Sequence, residues 1–138
     1  MWPLIFLGKT TGGIMFLFSL FTGVMSLSDL DIAGLEKARV LLETPGAIQR
    51  KLSEIAAASG MGLTHFKIAF KEVYGETAGT YAREQALHRA KELLANTNLP
   101  VKAIAGMVGY KYAGNFGMAF KRRFGVGPGR YRKLIINN

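Results

Sequence analysis

The chain of 138 residues has no cysteine, which rules out a disulfide framework, a thiolate metal site and a cysteine nucleophile, and which fits a reducing cytoplasm. Its two histidines, His65 and His88, lie far apart and in no metal-ligand spacing. Acidic residues are also scarce, 9 against 18 Lys and Arg. None occurs beyond Glu92, while Lys102, Lys111, Lys121, Arg122, Arg123, Arg130, Arg132 and Lys133 follow. A field of one sign attracts polyanions such as DNA, RNA or an anionic lipid surface, and a basic face kept for solubility is the plainer alternative. Glu76, Glu84 and Glu92 read as solvated charges, with Glu84 in reach of His88 or Arg89 across one turn. No paired carboxylates and no nucleophile-base set occur, so the sequence predicts neither an enzyme nor a metal or cofactor site.

Strict apolar-polar alternation is absent too, which excludes clear strands and leaves an all-α domain. Leu35, Ala38, Leu41 and Leu42 keep a helical spacing that stops at Thr44-Pro45-Gly46. A short helix around Leu52, Ile55 and Ala56 ends at Gly60, and Phe66, Ala69, Phe70 and Val73 mark a third, closed by Gly75. Thr77 offers a cap for a long helix to about Ala95, with Tyr81, Leu87, Ala90, Leu93 and Leu94 inward. After the break at Asn96 to Pro100, a short helix spans Val101 to Val108, and another runs roughly from Ala113 to Phe124. Gly125 to Pro128 reads as a turn, and Tyr131 to Ile135 as a last short helix.

Within this order lies a repeat. Ile55-Ala56, Gly60, Phe66, Phe70-Lys71 and Gly75 return as Ile104-Ala105, Gly109, Phe116, Phe120-Lys121 and Gly125. Each copy sets a short helix, a glycine turn and a second helix with two aromatics four apart, the layout of a helix-turn-helix. Helical spacing makes Phe66, Phe70, Phe116, Phe120, Phe124 and Tyr131 core residues rather than a base-stacking set. The faces opposite the aromatics are left for a major groove. Phe66 and Phe116 are 50 residues apart. The helix between the units, about 18 residues at ~1.5 Å each, is ~27 Å long, so with its flanking turns it approaches the ~34 Å of one turn of B-DNA. One monomer is therefore sufficient to address successive grooves.

The second copy resembles the AraC/XylS family of bacterial transcription regulators. The match runs through Asn98-Leu99-Pro100-Val101-Lys102-Ala103-Ile104-Ala105, Val108-Gly109-Tyr110, Phe116 to Val126, Pro128 and Tyr131-Arg132. It extends to Arg89-Ala90, Leu93-Leu94, Gly60-Met61-Gly62 and His65-Phe66-Lys67, covering about residues 35 to 134. The resemblance implies about seven helices in two homeodomain-like helix-turn-helix subdomains on a long linker helix, residues 31–134. It implies a sequence-specific regulator of transcription, with double-stranded DNA as partner, RNA polymerase as a further candidate partner, and no small-molecule site in this chain.

Carried over by position, Thr64, Lys67 and Ile68 of the first recognition helix would face bases, with Lys71 and the backbone near Gly62-Leu63 by phosphates. In the second, Ala113, Gly114, Gly117 and Met118 would face bases, Asn115 would lie beside them, and Lys121 and Arg122 near the backbone. His65 would be at the surface or near phosphate. Phosphate contacts give affinity and base contacts give sequence preference. The chain departs from the family at several points. Ala113, Gly114, Gly117 and Met118 supply no bidentate hydrogen-bonding group, so they either meet a thymine methyl or permit close approach. Ala86 stands where the family usually has arginine, and Gly127 and Gly129 flank Pro128 where small polar residues are common, which removes a helix cap. These departures favour Thr64 and Lys67 for direct readout and an anchoring second unit. A nonspecific nucleic-acid binder and a membrane-tethered helical adaptor are the competing classes.

Residues 1–30 stand apart, because Lys9 is the sole charge before Asp29 and residues 10–28 are uncharged. Such a run can just span a bilayer, leaving the basic remainder cytoplasmic. As a secretory signal it lacks a convincing cleavage site. The third and preferred account is a linker helix left from a sensor domain, with Phe6-Leu7-Gly8-Lys9 as its start, although Gly12, Gly13 and Gly23 weaken a soluble helix. On that account the effector-binding domain is missing and DNA binding is constitutive, or the chain is a truncated product. Removal of residues 1–28 should leave a soluble fragment that still shifts duplex DNA in a gel; a fragment that fails to fold would contradict this boundary.

Overall fold

The computed structural model describes residues 27–137, so the expectations for residues 1–26 lie outside it. Seven α-helices and one short 3-10 helix, Ala47–Gln49, make up the described chain, and no strand occurs among the described residues. They are α1 (Asp29–Leu42), α2 (Leu52–Ala58), α3 (Leu63–Tyr74), α4 (Ala78–Asn96), α5 (Val101–Met107), α6 (Ala113–Phe124) and α7 (Pro128–Ile136). They fall into two compact units. The first takes the described part of Met1–Leu42 with Arg50–Tyr81, and the second takes Glu43–Gln49 with Ala82–Asn138.

In the first unit α1 starts on a reciprocal cap. The Asp31 N–H donates to Ser28 Oγ at 3.1 Å and the Ser28 N–H donates to Asp31 Oδ2 at 3.2 Å, filling two donors that a helix start leaves open. Leu35, Ala38 and Leu42 are buried on its inner face, beside Gly34. A Cβ on Gly34 would sit 2.2 Å from the Ser59 carbonyl oxygen, so α1 reaches the end of α2 because this side chain is missing. Phe66 and Phe70 of α3 are fully buried with ring centroids 5.7 Å apart, and Phe70 also meets Tyr74 at 4.5 Å and Tyr81 at 5.6 Å. The Tyr74 hydroxyl donates to Glu36 Oε1 at 3.2 Å. Burial, and then the Glu36 charge, push its pKa well above the usual tyrosine range.

The second unit repeats the plan. Ile104, Ala105, Val108, Phe116 and Phe120 pack with Ala86, Leu87, Ala90 and Leu94 of α4. Phe120 meets Phe116 at 5.7 Å, Phe124 at 4.7 Å and Tyr131 at 5.6 Å. Equivalent backbone bonds recur: Met61 N–H to Ala56 O at 3.0 Å matches Tyr110 N–H to Ala105 O at 2.9 Å. Gly75 N–H to Lys71 O matches Gly125 N–H to Lys121 O, both at 2.8 Å. The sequence repeat is thus a structural one.

Segment Glu43–Gln49 is fixed on this unit. Gln49 Nε2 donates to Gly109 O at 2.6 Å, and Arg89 donates to the Glu43 carbonyl. Gly109 has φ +104°, and a Cβ there would lie 2.9 Å from Ile48 Cγ1 and 3.0 Å from Gly46 Cα, so the turn requires glycine twice over. The Tyr110 hydroxyl is buried without a hydrogen-bond partner among the described residues, and burial raises its pKa.

Some expectations change. Helix α7 begins at Pro128, three residues before the expected Tyr131, because proline at the first helical position gives up an N–H that no carbonyl would have used. Its N-cap Gly127 makes no side-chain bond, as the missing cap implied. Ala86 is buried in the core of the second unit, where an arginine would have no room for its charge. Glu84 pairs with His88 at 2.9 Å as one alternative had it. Its other partner is Arg123 of α6, at 2.6 Å, and not Arg89, whose guanidinium is occupied by Glu43. The Arg123 hydrogen bond holds the Glu84 carboxyl below its usual range, against a smaller opposing effect of burial.

Two outcomes follow for stability. Gly34→Ala drives a methyl into a backbone carbonyl and should lower the unfolding free energy by ~1–3 kcal/mol in a denaturant titration; an unchanged midpoint would refute the α1–α2 contact. Because the folded Glu84 pKa is lowered, its pairing contributes fully above the unfolded glutamate pKa and is lost as pH falls through the folded value. Unfolding curves taken down through the carboxylate range should therefore show a steeper loss for the parent than for Glu84→Gln, and parallel curves would contradict the pairing.

Candidate nucleic-acid interface

Each repeat buries one side of its second helix and leaves the other bare. On α3, Phe66, Ala69, Phe70 and Val73 are buried, while Thr64, Lys67, Ile68 and Lys71 are exposed together. Beside them Glu72, Gly75 and Thr77 help to line a shallow, open depression. Gly62, the N-cap of α3, forms no side-chain cap, so the first-turn N–H groups near Gly62-Leu63 face outward beside Thr64. His65 is not turned to this face. It is partly exposed at the surface, one of the two expected placements, with Nε2 3.5 Å from Asp31 Oδ1.

On α6, Phe116 and Phe120 are buried, and Ala113, Gly114, Asn115, Met118, Lys121 and Arg122 are exposed. Gly117 is half-buried on the same side. The eleven candidate positions therefore form one solvent-facing strip on each recognition helix, and no core residue interrupts either strip. Only the α3 strip carries a hydroxyl and two ammonium groups within its base-facing and flanking positions; the α6 strip offers Asn115 as its single amide.

Charge is divided between the units. Among the described residues of the first, Lys37, Arg39, Arg50, Lys51, Lys67 and Lys71 are matched by Asp29, Asp31, Glu36, Glu54, Glu72 and Glu76. The second holds Arg83, Arg89, Lys91, Lys102, Lys111, Lys121, Arg122, Arg123, Arg130, Arg132 and Lys133 against Glu43, Glu84 and Glu92. The whole excess of the described chain sits in that unit. Several of these cations serve the fold. Arg123 is held by Glu84, Lys91 lies 4.8 Å over the Phe124 ring, and Arg132 donates to Leu94 O at 3.2 Å. Lys121 and Arg122 stay exposed in the last turn of α6, where the negative helix end favours them.

Lys111 and Tyr112 lie outside the eleven candidate positions. Tyr112 is the N-cap of α6, 59% exposed, and Lys111 Nζ lies 5.5 Å above its ring. One signal was available: Gly109 to Phe116 has one more intervening residue than Gly60 to Phe66, and the extra residue falls in this turn. Among the described residues no group of acidic or histidine side chains could hold a metal ion, and no helix is long and apolar enough to cross a membrane.

Known proteins share this arrangement. A family model described as a helix-turn-helix domain matches residues 55–134. The HTH-type transcriptional regulator ExsA of Pseudomonas aeruginosa is 32% identical over 107 residues, 78% of this chain and 38% of that protein. The virulence regulon transcriptional activator VirF of Yersinia enterocolitica is 37% identical over 86 residues, 62% of this chain and 32% of its own length. The chain thus spans about a third of these relatives. Among solved structures, an AraC-type transcriptional regulator from Chromobacterium violaceum superposes with a TM-score of 0.67 at 23% identity, over 74% of this chain and 91% of that one. The DNA-binding domain of AdpA, solved with a target DNA, gives 0.65 at 23% identity, over 78% and 93%. Both likenesses concern the fold. With a repeat, a core and a family match that coincide over the same residues, this chain belongs to the AraC-type helix-turn-helix family.

Proposed function

We propose that the chain is a DNA-binding regulator of transcription in which each unit lays its second helix, α3 or α6, in a major groove of double-stranded DNA. The observation that carries this reading is the exposed strip on each recognition helix, set on a buried aromatic pair and accompanied, in the second unit, by a strong positive excess. Helix α4 has 19 residues, ~28 Å at ~1.5 Å each, a length that supports successive grooves on one face of the duplex. No chemistry beyond non-covalent recognition is required of the site.

The division of side chains supports unequal roles. Thr64 and Lys67 have hydrogen-bonding groups where bases would lie, with Ile68 beside them and Lys71 toward phosphate. Lys121 and Arg122 give the second unit phosphate contacts, and the excess charge around them supplies counterion release. The first unit then reads and the second mainly anchors. The description of VirF as an activator favours RNA polymerase as a second partner. A nonspecific binder is the other reading, favoured by the two glycines in α6.

A selection of bound duplexes from a random pool tests these roles. Replacing Lys67 with Ala should change which bases are selected. Replacing Lys121 with Ala should weaken all duplexes alike and reduce the slope of log affinity against log salt by about 0.9, the loss of one phosphate contact. Equal affinity for selected and random duplexes at one salt concentration would sink the sequence-specific reading and leave the nonspecific one.

A further inference from the structure

We infer that α6 reads the 5-methyl groups of thymine through close apolar approach, with Met118 and Tyr112 as the contacting side chains and Gly117 admitting the groove edge. The inference rests on the DNA-binding reading above and gives that site its preferred base.

Gly117 is informative because nothing among the described residues asks for it. It lies within α6, past the first turn, in a helix where glycine is weaker than alanine. Its φ is not positive, and a Cβ built on it meets nothing within 4 Å. Gly34 and Gly109 differ, since a Cβ on either would strike backbone or side-chain atoms of its own unit. A side chain at position 117 would favour the helix and meets no described atom, so the space on this exposed strip is open to a body outside the described residues. Gly114, one turn earlier on the same strip, is equally unobstructed.

The neighbours state what that body is. Met118 is 64% exposed and Tyr112 59%, and Ala113 is exposed between them in sequence. Met118 and Ala113 carry no group that makes a strong hydrogen bond to the polar edges of guanine, cytosine or adenine, and the Tyr112 ring adds an apolar face, whereas the thymine methyl projects into the major groove and offers an apolar contact. A protein or lipid occupant of this apolar strip is disfavoured by charge. Lys111, Lys121 and Arg122 surround it, no acidic residue follows Glu92 in the whole sequence, and the phosphates on either side of a groove supply the matching sign.

The test uses the full chain and a duplex that it selects from a random pool. The same duplex is remade with uracil for thymine, which deletes the methyls and leaves every hydrogen-bonding edge and phosphate in place. Affinity at fixed salt should fall roughly fourfold for each contacted methyl, equivalent to ~0.8 kcal/mol per buried carbon. Met118→Ala should lose part of the parent's preference for the thymine duplex over the uracil duplex, and Met118→Ala with Tyr112→Ala should lose more of it. Gly117→Ala should melt at a higher temperature than the parent and yet bind the thymine duplex more weakly, a combination that damage to the fold cannot produce. Equal binding of thymine and uracil duplexes by the parent, or undiminished binding by Gly117→Ala, overturns the inference and leaves the DNA-binding reading intact. Failure of the parent to bind any duplex overturns both.

Discussion

Everything in each unit depends on two aromatic rings held four residues apart on one helix. Phe66 with Phe70, and Phe116 with Phe120, are fully removed from solvent. Rings of that size bring the largest apolar area of either core, and their spacing fixes which side of the helix turns inward. The opposite side is thereby committed to solvent. A recognition surface results from a packing constraint, without any polar residue having to be placed for its own sake. The preceding short helix and turn have the same task in both units, since Ile55-Ala56 and Ile104-Ala105 pack against the rings and the turn bonds recur atom for atom.

What differs between the units is electrostatic. The first is balanced among its described side chains, so long-range attraction adds little to its encounter with a polyanion, and in the proposed reading short-range contacts at Thr64 and Lys67 decide what it prefers. The second is attracted from a distance by its excess charge but presents methyls and open glycines close up. Part of its positive charge is diverted into the fold. The Glu84 carboxylate clamps Arg123 while leaving Lys121 and Arg122, at the C-terminal end of the exposed strip, turned outward. The same triplet of basic residues therefore does two different things, and only the position of one acidic group on α4 separates them.

The fold was readable to within a few residues because helix periodicity and glycine stops are local signals. The ends of α2, α3, α5 and α6 lie where Gly60, Gly75, Gly109 and Gly125 put them. The exceptions are positions whose role is settled by partners distant in sequence. His65 gains a neighbour in Asp31 that its own stretch of sequence does not show, and Arg89 looked like a partner of Glu84 until the Glu43 carbonyl occupied it. Pro128 was read as part of a turn, although its fixed φ suits a helix start equally well. Tyr112 falls in the turn before α6, where no helical periodicity marks a residue as inward or outward.

The sequence by itself determined the all-α repeat, the pairing of short helix, turn and recognition helix, and the uneven distribution of basic residues, because each of these is written in the order of neighbouring residues. Tertiary structure alone decided which of those basic residues are spent inside the fold, that Ala86 is core and cannot stand in for an arginine, and that Glu43–Gln49 packs with the second unit although it follows a helix of the first. It also separated glycines whose side-chain space is filled, Gly34 and Gly109, from Gly117, whose space no described residue fills. The physical reason is the same in each case: a contact is a distance between atoms, and residues 39 or 60 apart in the chain, such as Glu84 with Arg123 or Gln49 with Gly109, acquire one only when the chain is folded.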